Sequence, residues 1–190
     1  MTGNGMIPDE QRQKTPGLVD RARSGDRQAF SELMKVHMKP IVALTYRMTG
    51  DKEAAFDLAQ ETFLSAWQNL GGFRGDARFD SWLYRIATNK TLNFLKASRL
   101  FVGAEPDDQT ASSELAPDRA LHQKELRRDV LAFMSTLPTQ QRLVFNLRFY
   151  RQQQFSEIAE ALGSAVGTVK THYREALKKL KEFAVEKGWD

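Results

Sequence analysis

An all-α fold in two small helical domains is predicted for this chain of 190 residues, a length that allows one domain or two small ones. Three observations predict it. Apolar residues recur at helical spacing in one segment after another. No stretch alternates apolar and polar residues between turn signals, as a half-buried strand would. The periodicity also lapses once, over 102–118, where the chain turns acidic, small and Pro-bearing and reads as a flexible linker between domains.

The elements follow in order. Residues 1–16 are rich in Gly, Pro and polar side chains and read as a disordered tail. Gly17–Gly25 can form a short helix. Asp26 has the character of an N-cap, and Phe30, Leu33, His37, Ile41, Leu44 and Met48 follow at helical spacing. Pro40 lies within that pattern and should kink or divide the helix. Gly50 stops it, and Asp51 caps the next, whose apolar stripe is Ala55, Ala59, Phe63, Ala66, Trp67 and Leu70. Gly71-Gly72 ends that helix. After a loop, Phe73–Asp80, Ser81 can cap a helix running to about Ser98, with Trp82, Ile86 and Phe94 among its inward candidates. The first domain is thus 17–101. The second, 119–187, opens with a helix over Arg119–Leu137 carrying Leu126, Val130, Phe133 and Leu137 on one face. Pro138 suits the first turn of a further helix reaching about Tyr150.

Apolar residues are 41% of the chain, enough for compact cores, and the net charge is +4. A pI near 9.4 permits a nucleic-acid partner without requiring one. Distribution says more. Gly71–Arg99 carries six basic residues against Asp76 and Asp80, Thr168–Lys181 carries five against Glu175, and Gly103–Asp118 carries five acids and no base. The absence of cysteine excludes disulfides and thiolate metal sites within the chain. The N-terminus lacks the apolar stretch of a signal peptide, and no apolar run approaches the roughly 20 residues that cross a bilayer. A cytoplasmic protein without membrane insertion is expected.

Phe155–Leu180 has the form of a helix-turn-helix. Ile158, Ala159 and Leu162 belong to its first helix, and Gly163 opens the turn where positive φ is needed. Val166 and Val169 are expected to anchor the second helix on the first, with the small Ala159 allowing a close crossing. Thr168, Lys170, Thr171, Arg174 and Lys178 are left for the outward face, as a helix entering a major groove requires. A helical hairpin with a solvated basic face is the plainer alternative. The loop FRGDARFD, Phe73–Asp80, is open to two readings. Arg74 and Arg78 can hold phosphates, Gly75 permits a tight path, and Phe73, Phe79 and Trp82 could stack on unpaired bases. Alternatively Phe79 and Trp82 are core residues, leaving the loop backbone and polar groups to form a base pocket. Asp57, Gln60, Glu61, Leu64 and Gln68 form a mostly polar helix stripe that is either wet or a docking face. No enzyme constellation is present. GSAVGTVKT at Gly163–Thr171 departs from a phosphate-binding loop, and His37, His122 and His172 have no metal-ligand spacing.

DLAQETFLSAW (57–67), FRGDARFDSWLYRIATN (73–89) and LPTQQRLVFNLRFYRQQQFSEIAEALGSAVGTVK (137–170) together resemble bacterial sigma factors of the extracytoplasmic-function type. The likeness covers most of Leu18–Lys181. It implies a region 2 domain, a region 4 domain and no middle domain, which suits the short linker. It implies a factor that binds core RNA polymerase and directs promoter-specific initiation, in a stress or envelope response, with no catalysis, cofactor or metal of its own. Asp57, Gln60, Glu61 and Leu64 would dock on core polymerase, at the β′ clamp coiled coil, with the β subunit a further contact. Phe73, Arg74, Gly75, Asp76, Arg78, Asn89 and Lys90 would recognise and melt the −10 element. One non-template base would be flipped into the loop pocket, and because unpairing costs a few kcal/mol a prepared pocket is a physical requirement. Thr168, Lys170, Thr171, Arg174 and Lys178 would read the −35 element. Promoter DNA and an anti-sigma factor are the other implied partners, and the location is the cytoplasm, at the nucleoid through polymerase.

The chain departs from the family pattern in three places. Glu175 stands near a usual basic position, Gln152, Gln153 and Gln154 occupy a stretch where a Gly-bearing turn is common, and TVKTH at 168–172 is close to the helix-turn-helix of LuxR-type regulators. These bear on the −35 contacts and not on the domain. A LuxR-type regulator would explain TVKTH but leaves FRGDARFDSWLYRIATN without a role. An RNA-binding or antitermination protein could use the basic aromatic segment but has no use for a major-groove helix.

Overall fold

The computed structural model of the protein describes residues 9–101 and 117–189, and within them every regular element is helical. The first group is α1 (Asp9–Arg23), α2 (Arg27–Thr49), α3 (Lys52–Asn69) and α4 (Phe79–Phe101). The second is α5 (Pro117–Thr136), α6 (Thr139–Phe145) continued by a π-wound segment Asn146–Tyr150, α7 (Phe155–Leu162) and α8 (Val166–Lys187). The architecture is all-α in two helical clusters. The linker reading over 102–118 lies almost wholly outside the described residues. No helix among the described residues is long and apolar enough to cross a membrane.

Local chemistry sets most boundaries. Asp26 Oδ1 accepts the backbone N–H groups of Gln28 and Ala29 at 2.9 and 3.0 Å and starts α2. Asp51 Oδ1 accepts that of Ala54 at 3.0 Å and starts α3. Such caps satisfy N–H groups that have no partner within the helix. Gly50 ends α2 in the left-handed region. Pro40 is buried within α2, which runs past it undivided.

Three starts differ from expectation. α1 begins at Asp9, inside the segment read as tail; residues 9–14 are mostly good helix formers, and Pro16 does not break the helix they start. α4 begins at Phe79 rather than after a Ser81 cap: the first turn closes with Trp82 N–H on Arg78 O at 3.0 Å, and Asp80 Oδ1 takes the Ser81 N–H. The Ser81 hydroxyl is then free for a partner elsewhere. Pro138 is the N-cap of α6, not its first residue.

Phe63, Leu33, Ile41, Leu44, Met48 and Leu83 form the centre of the first cluster. On α4 the buried face is Leu83, Tyr84, Ala87, Thr88 and Thr91; Trp82, Ile86 and Phe94 are only partly buried beside it. Around Phe145 a second core gathers Phe133, Met134, Leu137 and Ala176. Leu126, expected on this face, is 49% exposed, one turn too early to reach it.

The clusters are not separate. Leu143, Val144, Leu147, Ile158, Ala159 and Val169 pack into one continuous core with α1–α4. Polar groups cross the same seam. Arg142 Nη1 donates to Met48 O at 2.9 Å, Asn146 Nδ2 to Leu44 O at 3.3 Å, Arg47 Nε to Asn146 Oδ1 at 3.1 Å and Arg151 Nη2 to Pro40 O at 2.8 Å.

Gln152 resolves one departure of the sequence. Its φ is +54°, so a glutamine holds the left-handed conformation at the position where a Gly-bearing turn is common. A Cβ there costs about 1–2 kcal/mol, which glycine avoids. Gln152→Gly should therefore stabilise the fold by up to about 1 kcal/mol, the gain being reduced by glycine's entropy in the unfolded chain. Urea midpoints of the two proteins measure it; a destabilised variant would show that the Gln152 side chain holds the turn.

Candidate nucleic-acid interface and docking face

α3 carries the first candidate surface. One side is locked inward by Ala55, Leu58, Ala59, Thr62, Phe63 and Ala66. This leaves Asp57, Gln60, Glu61, Leu64 and Gln68 all exposed on the other side. Leu64 is 59% exposed and Phe56, which the stripe omitted, is 48% exposed. Phe56, Gln60 and Leu64 succeed one another at four-residue spacing, so the face is amphipathic rather than merely wet. Two large apolar side chains left in water beside carboxylates suit protein docking better than solvation alone. The i, i+4, i+8 spacing was the signal available for Phe56.

The loop between α3 and α4 stands on an aromatic base. Phe73, Phe79 and Trp82 contact one another at ring-centroid distances of 5.1–5.9 Å. Phe79 is buried, as the core reading holds. Phe73 is buried too, at 8% exposure, packed on Phe79 and Trp82, and it lines the cleft beneath the loop. Arg74, Gly75, Asp76, Ala77 and Arg78 are exposed above it, and Gly75 has φ +82°. Arg78 is fixed by a two-pronged contact to Asp80, Nε–Oδ1 3.1 Å and Nη2–Oδ2 2.7 Å. Arg74 is exposed and makes no ion pair among the described residues.

Beneath the loop lies a cleft of about 470 Å³, closed on its far side by Val19, Asp20 and Arg23 of α1 and reaching His37. That volume is in the range that holds a small planar ligand. His37 is 1% exposed, lies edge-on to Phe79 at 5.4 Å, and neither ring nitrogen has a protein hydrogen-bond partner. Burial pushes its pKa down to about 4; Asp80 opposes that shift and Arg151 adds to it.

Along α4, Asn89 is exposed and Lys90 half-buried. Lys90 Nζ sits 3.2 Å from Glu61 Oε2, so a −10 candidate and a docking candidate are ion-paired in one exposed bridge. Arg85, absent from the expected site, is exposed on the same helix and lies 3.8 Å from Glu160 of α7.

In the helix-turn-helix, Gly163 has φ +58° and Ser164 N–H returns to Ala159 O at 2.9 Å. This left-handed cap turns the chain sharply into α8. Ile158, Ala159 and Val169 are buried between the helices, as expected. Val166 is not: it is 39% exposed because it opens α8 ahead of the crossing, and Tyr173 packs against the core in its place. Thr168, Lys170, Thr171, Arg174 and Lys178 are all exposed. The Thr171 hydroxyl donates to Gly167 O at 3.0 Å.

Comparison with known proteins agrees with this anatomy. Residues 33–100 match the model of Sigma-70 region 2 and residues 127–180 that of Sigma-70, region 4. The RNA polymerase sigma-H factor of Pseudomonas aeruginosa is 34% identical, covering 92% of this chain and 95% of that protein. The ECF RNA polymerase sigma factor SigW of Bacillus subtilis is 32% identical, covering 85% and 93%. Among solved structures, CnrH in complex with the cytosolic domain of CnrY superposes with a TM-score of 0.65 at 28% identity, over 91% of this chain and 97% of that one. RpoE bound to the anti-sigma factor NepR, from Bartonella quintana, shares the fold at a TM-score of 0.67 and 21% identity, over 81% and 95%. With both family regions in order and a relative above 30% identity along nearly its whole length, the chain belongs to the extracytoplasmic-function type of bacterial RNA polymerase sigma factor, which directs transcription initiation and is not an enzyme.

Proposed function

We propose that this sigma factor docks on core RNA polymerase through the α3 face of Phe56, Asp57, Gln60, Glu61 and Leu64, opens the −10 element with the 73–80 loop and α4, and reads the −35 element with α8. The carrying observation is the division of exposed side chains: the α3 face presents carboxylates with apolar residues, whereas the loop, α4 and α8 present Arg, Lys, Thr and Asn. Bases extruded from the −10 element would enter the cleft under the loop, with Arg74 and Arg78 on phosphates and the Phe73–Phe79–Trp82 cluster holding the loop in shape. In this reading 17–101 acts at −10 and on polymerase, and 119–187 acts at −35. Binding of an anti-sigma factor and a response to envelope or other stress belong to the same reading; CnrH, 28% identical, is solved in complex with the cytosolic domain of another protein, CnrY. The site of action is the cytoplasm.

Run-off transcription with core enzyme on genomic promoter fragments tests the reading as a whole: transcripts should require both core and this chain. The docking face has its own test. Asp57→Lys with Glu61→Lys should weaken core binding by tenfold or more, since like charge would replace attraction at the contact. The fold should move by only about 0.5 kcal/mol per exposed substitution. A double variant that captures core as well as the wild type does would move docking off α3.

A further inference from the structure

We propose that Gly167 is a specificity position for the −35 element: its missing side chain leaves room on α8 for the 5-methyl group of a thymine, seated between the Gly167 Cα and Thr171. This deepens the assignment of α8 to the −35 element and rests on it.

The fold itself makes no use of glycine at this position. Gly167 is the second residue of α8 and is exposed. A Cβ built on it would meet nothing within 4 Å, so no neighbouring element needs the space. Gly50, Gly75 and Gly163 differ, because each holds a positive φ, and Gly167 does not. Glycine in ordinary helical conformation forgoes stability that alanine would give. The space it leaves opens outward, towards a partner.

Its place on the helix says which partner. Gly167, Thr171, Arg174 and Lys178 follow one another at i, i+4, i+7 and i+11, so they share one face. Val169 and Ala176 are buried on the opposite side, and Tyr173 packs inward beside them. The bare backbone is thus the leading end of the line that carries Arg174 and Lys178. It follows directly on the sharp turn at Gly163. In a helix-turn-helix, the N-terminal residues of the second helix are the ones that meet base edges.

The chemistry of the notch selects the group. Thr171 Oγ1 donates to Gly167 O at 3.0 Å. That bond turns the hydroxyl back on the helix and uses its donor, leaving the γ-methyl as the free end of an exposed side chain. The glycine Cα on one side and a methyl on the other make a small apolar seat. The thymine 5-methyl is the apolar group of the major groove, and a threonine methyl is among its usual partners. A purine edge offering an acceptor would find the Thr171 donor already used.

A swap of methyl groups tests this. Each thymine of the −35 element, on either strand, is replaced in turn by deoxyuridine, which keeps every hydrogen-bonding group and lacks only the methyl. At one position wild-type holoenzyme should lose about fourfold in affinity, the worth of one buried carbon. Gly167→Ala places a methyl where the thymine methyl would sit. It should lose tenfold or more on the thymine duplex and recover most of that on deoxyuridine at the same position alone. Gly17→Ala, at an equally open and exposed helical glycine of α1, should bind as the wild type does. Both variants should melt about 1–4 °C above the wild type, which separates lost binding from lost fold. A wild-type scan in which no deoxyuridine weakens binding overturns the seat. So does a Gly167→Ala protein that binds normally, or that loses equally on thymine and deoxyuridine. A Gly167→Ala protein that loses core binding would make the clearance a protein contact and overturns it too. Wild-type holoenzyme indifferent to replacement of the whole −35 element defeats the assignment of α8 instead.

Discussion

Lowering the pH from 7 to 4 should destabilise this protein by about 3 kcal/mol through His37 alone. Its imidazole is buried against Phe79, and desolvation brings its pKa from 6.5 to about 4, with Asp80 opposing and Arg151 assisting. Above pH 6.5 the ring is neutral in folded and unfolded chains, so it contributes no pH dependence. Between 6.5 and 4 the unfolded chain takes a proton that the folded chain refuses. Stability then falls as pH falls, by about 1.4 kcal/mol per unit. Below 4 both states are protonated and the loss is complete. His37→Leu removes the group, and carboxylates that titrate in both proteins cancel in the difference. Urea midpoints taken from pH 7 to pH 4 should therefore decline more steeply in the wild type, the two curves diverging by about 3 kcal/mol at the acid end. At pH 7 the variant should lose little, because the ring nitrogens it removes have no protein partner to strand. Parallel curves would place His37 in contact with water.

His37 also shows where sequence reasoning stops. Its spacing with Leu33, Ile41 and Leu44 marks it as inward-facing, and it is. What packs on it is Phe79 at the start of α4, and the charge of Arg151 acts on it, both far along the chain where periodicity cannot place them. The same division recurs throughout. Asp26, Asp51, Gly50 and Gly163 are legible because a cap or a left-handed turn is chemistry within four residues. The basic face of α8 is legible because Val169, Tyr173 and Ala176 turn inward and leave it out. Arg47, Arg142, Asn146 and Arg151 carry no local signal in the sequence, yet they cross the seam between the clusters, with Arg47 and Asn146 bonded 99 residues apart. Phe73 reads as a stacking platform, and only the positions of Phe79 and Trp82 show that its ring is buried. Val166 and Leu126 have the right residue type but stand one turn outside the packed region, since helical spacing shows which face is apolar and not where the neighbouring helix ends.

Arg174→Ala should cost roughly 1–3 kcal/mol on the preferred −35 sequence and relax preference at one base position, whereas Lys178→Ala should weaken every sequence alike. Both side chains are exposed on α8, three and seven residues beyond Thr171 on one face. Thr171 already donates its hydroxyl to Gly167 O, so it can accept a hydrogen bond or meet a methyl group but offers no free donor. Arg174 is the first donor on that face after it. No ion pair among the described residues ties Arg174 down, so Glu175 beside it does not consume its charge. A guanidinium early in a groove-entering helix can span two acceptors on one base edge, the geometry that specifies. Lys178 lies one turn further, where the helix leaves the groove and meets phosphate, and a phosphate contact positions without reading. Its loss should therefore reduce the slope of log affinity against log salt by about one unit and leave base preference intact. Holoenzyme affinity for single-base −35 variants, measured across several salt concentrations, separates the two roles. Equal losses on every variant for Arg174→Ala would make it a second phosphate contact and pass base reading to Thr171 and Lys170.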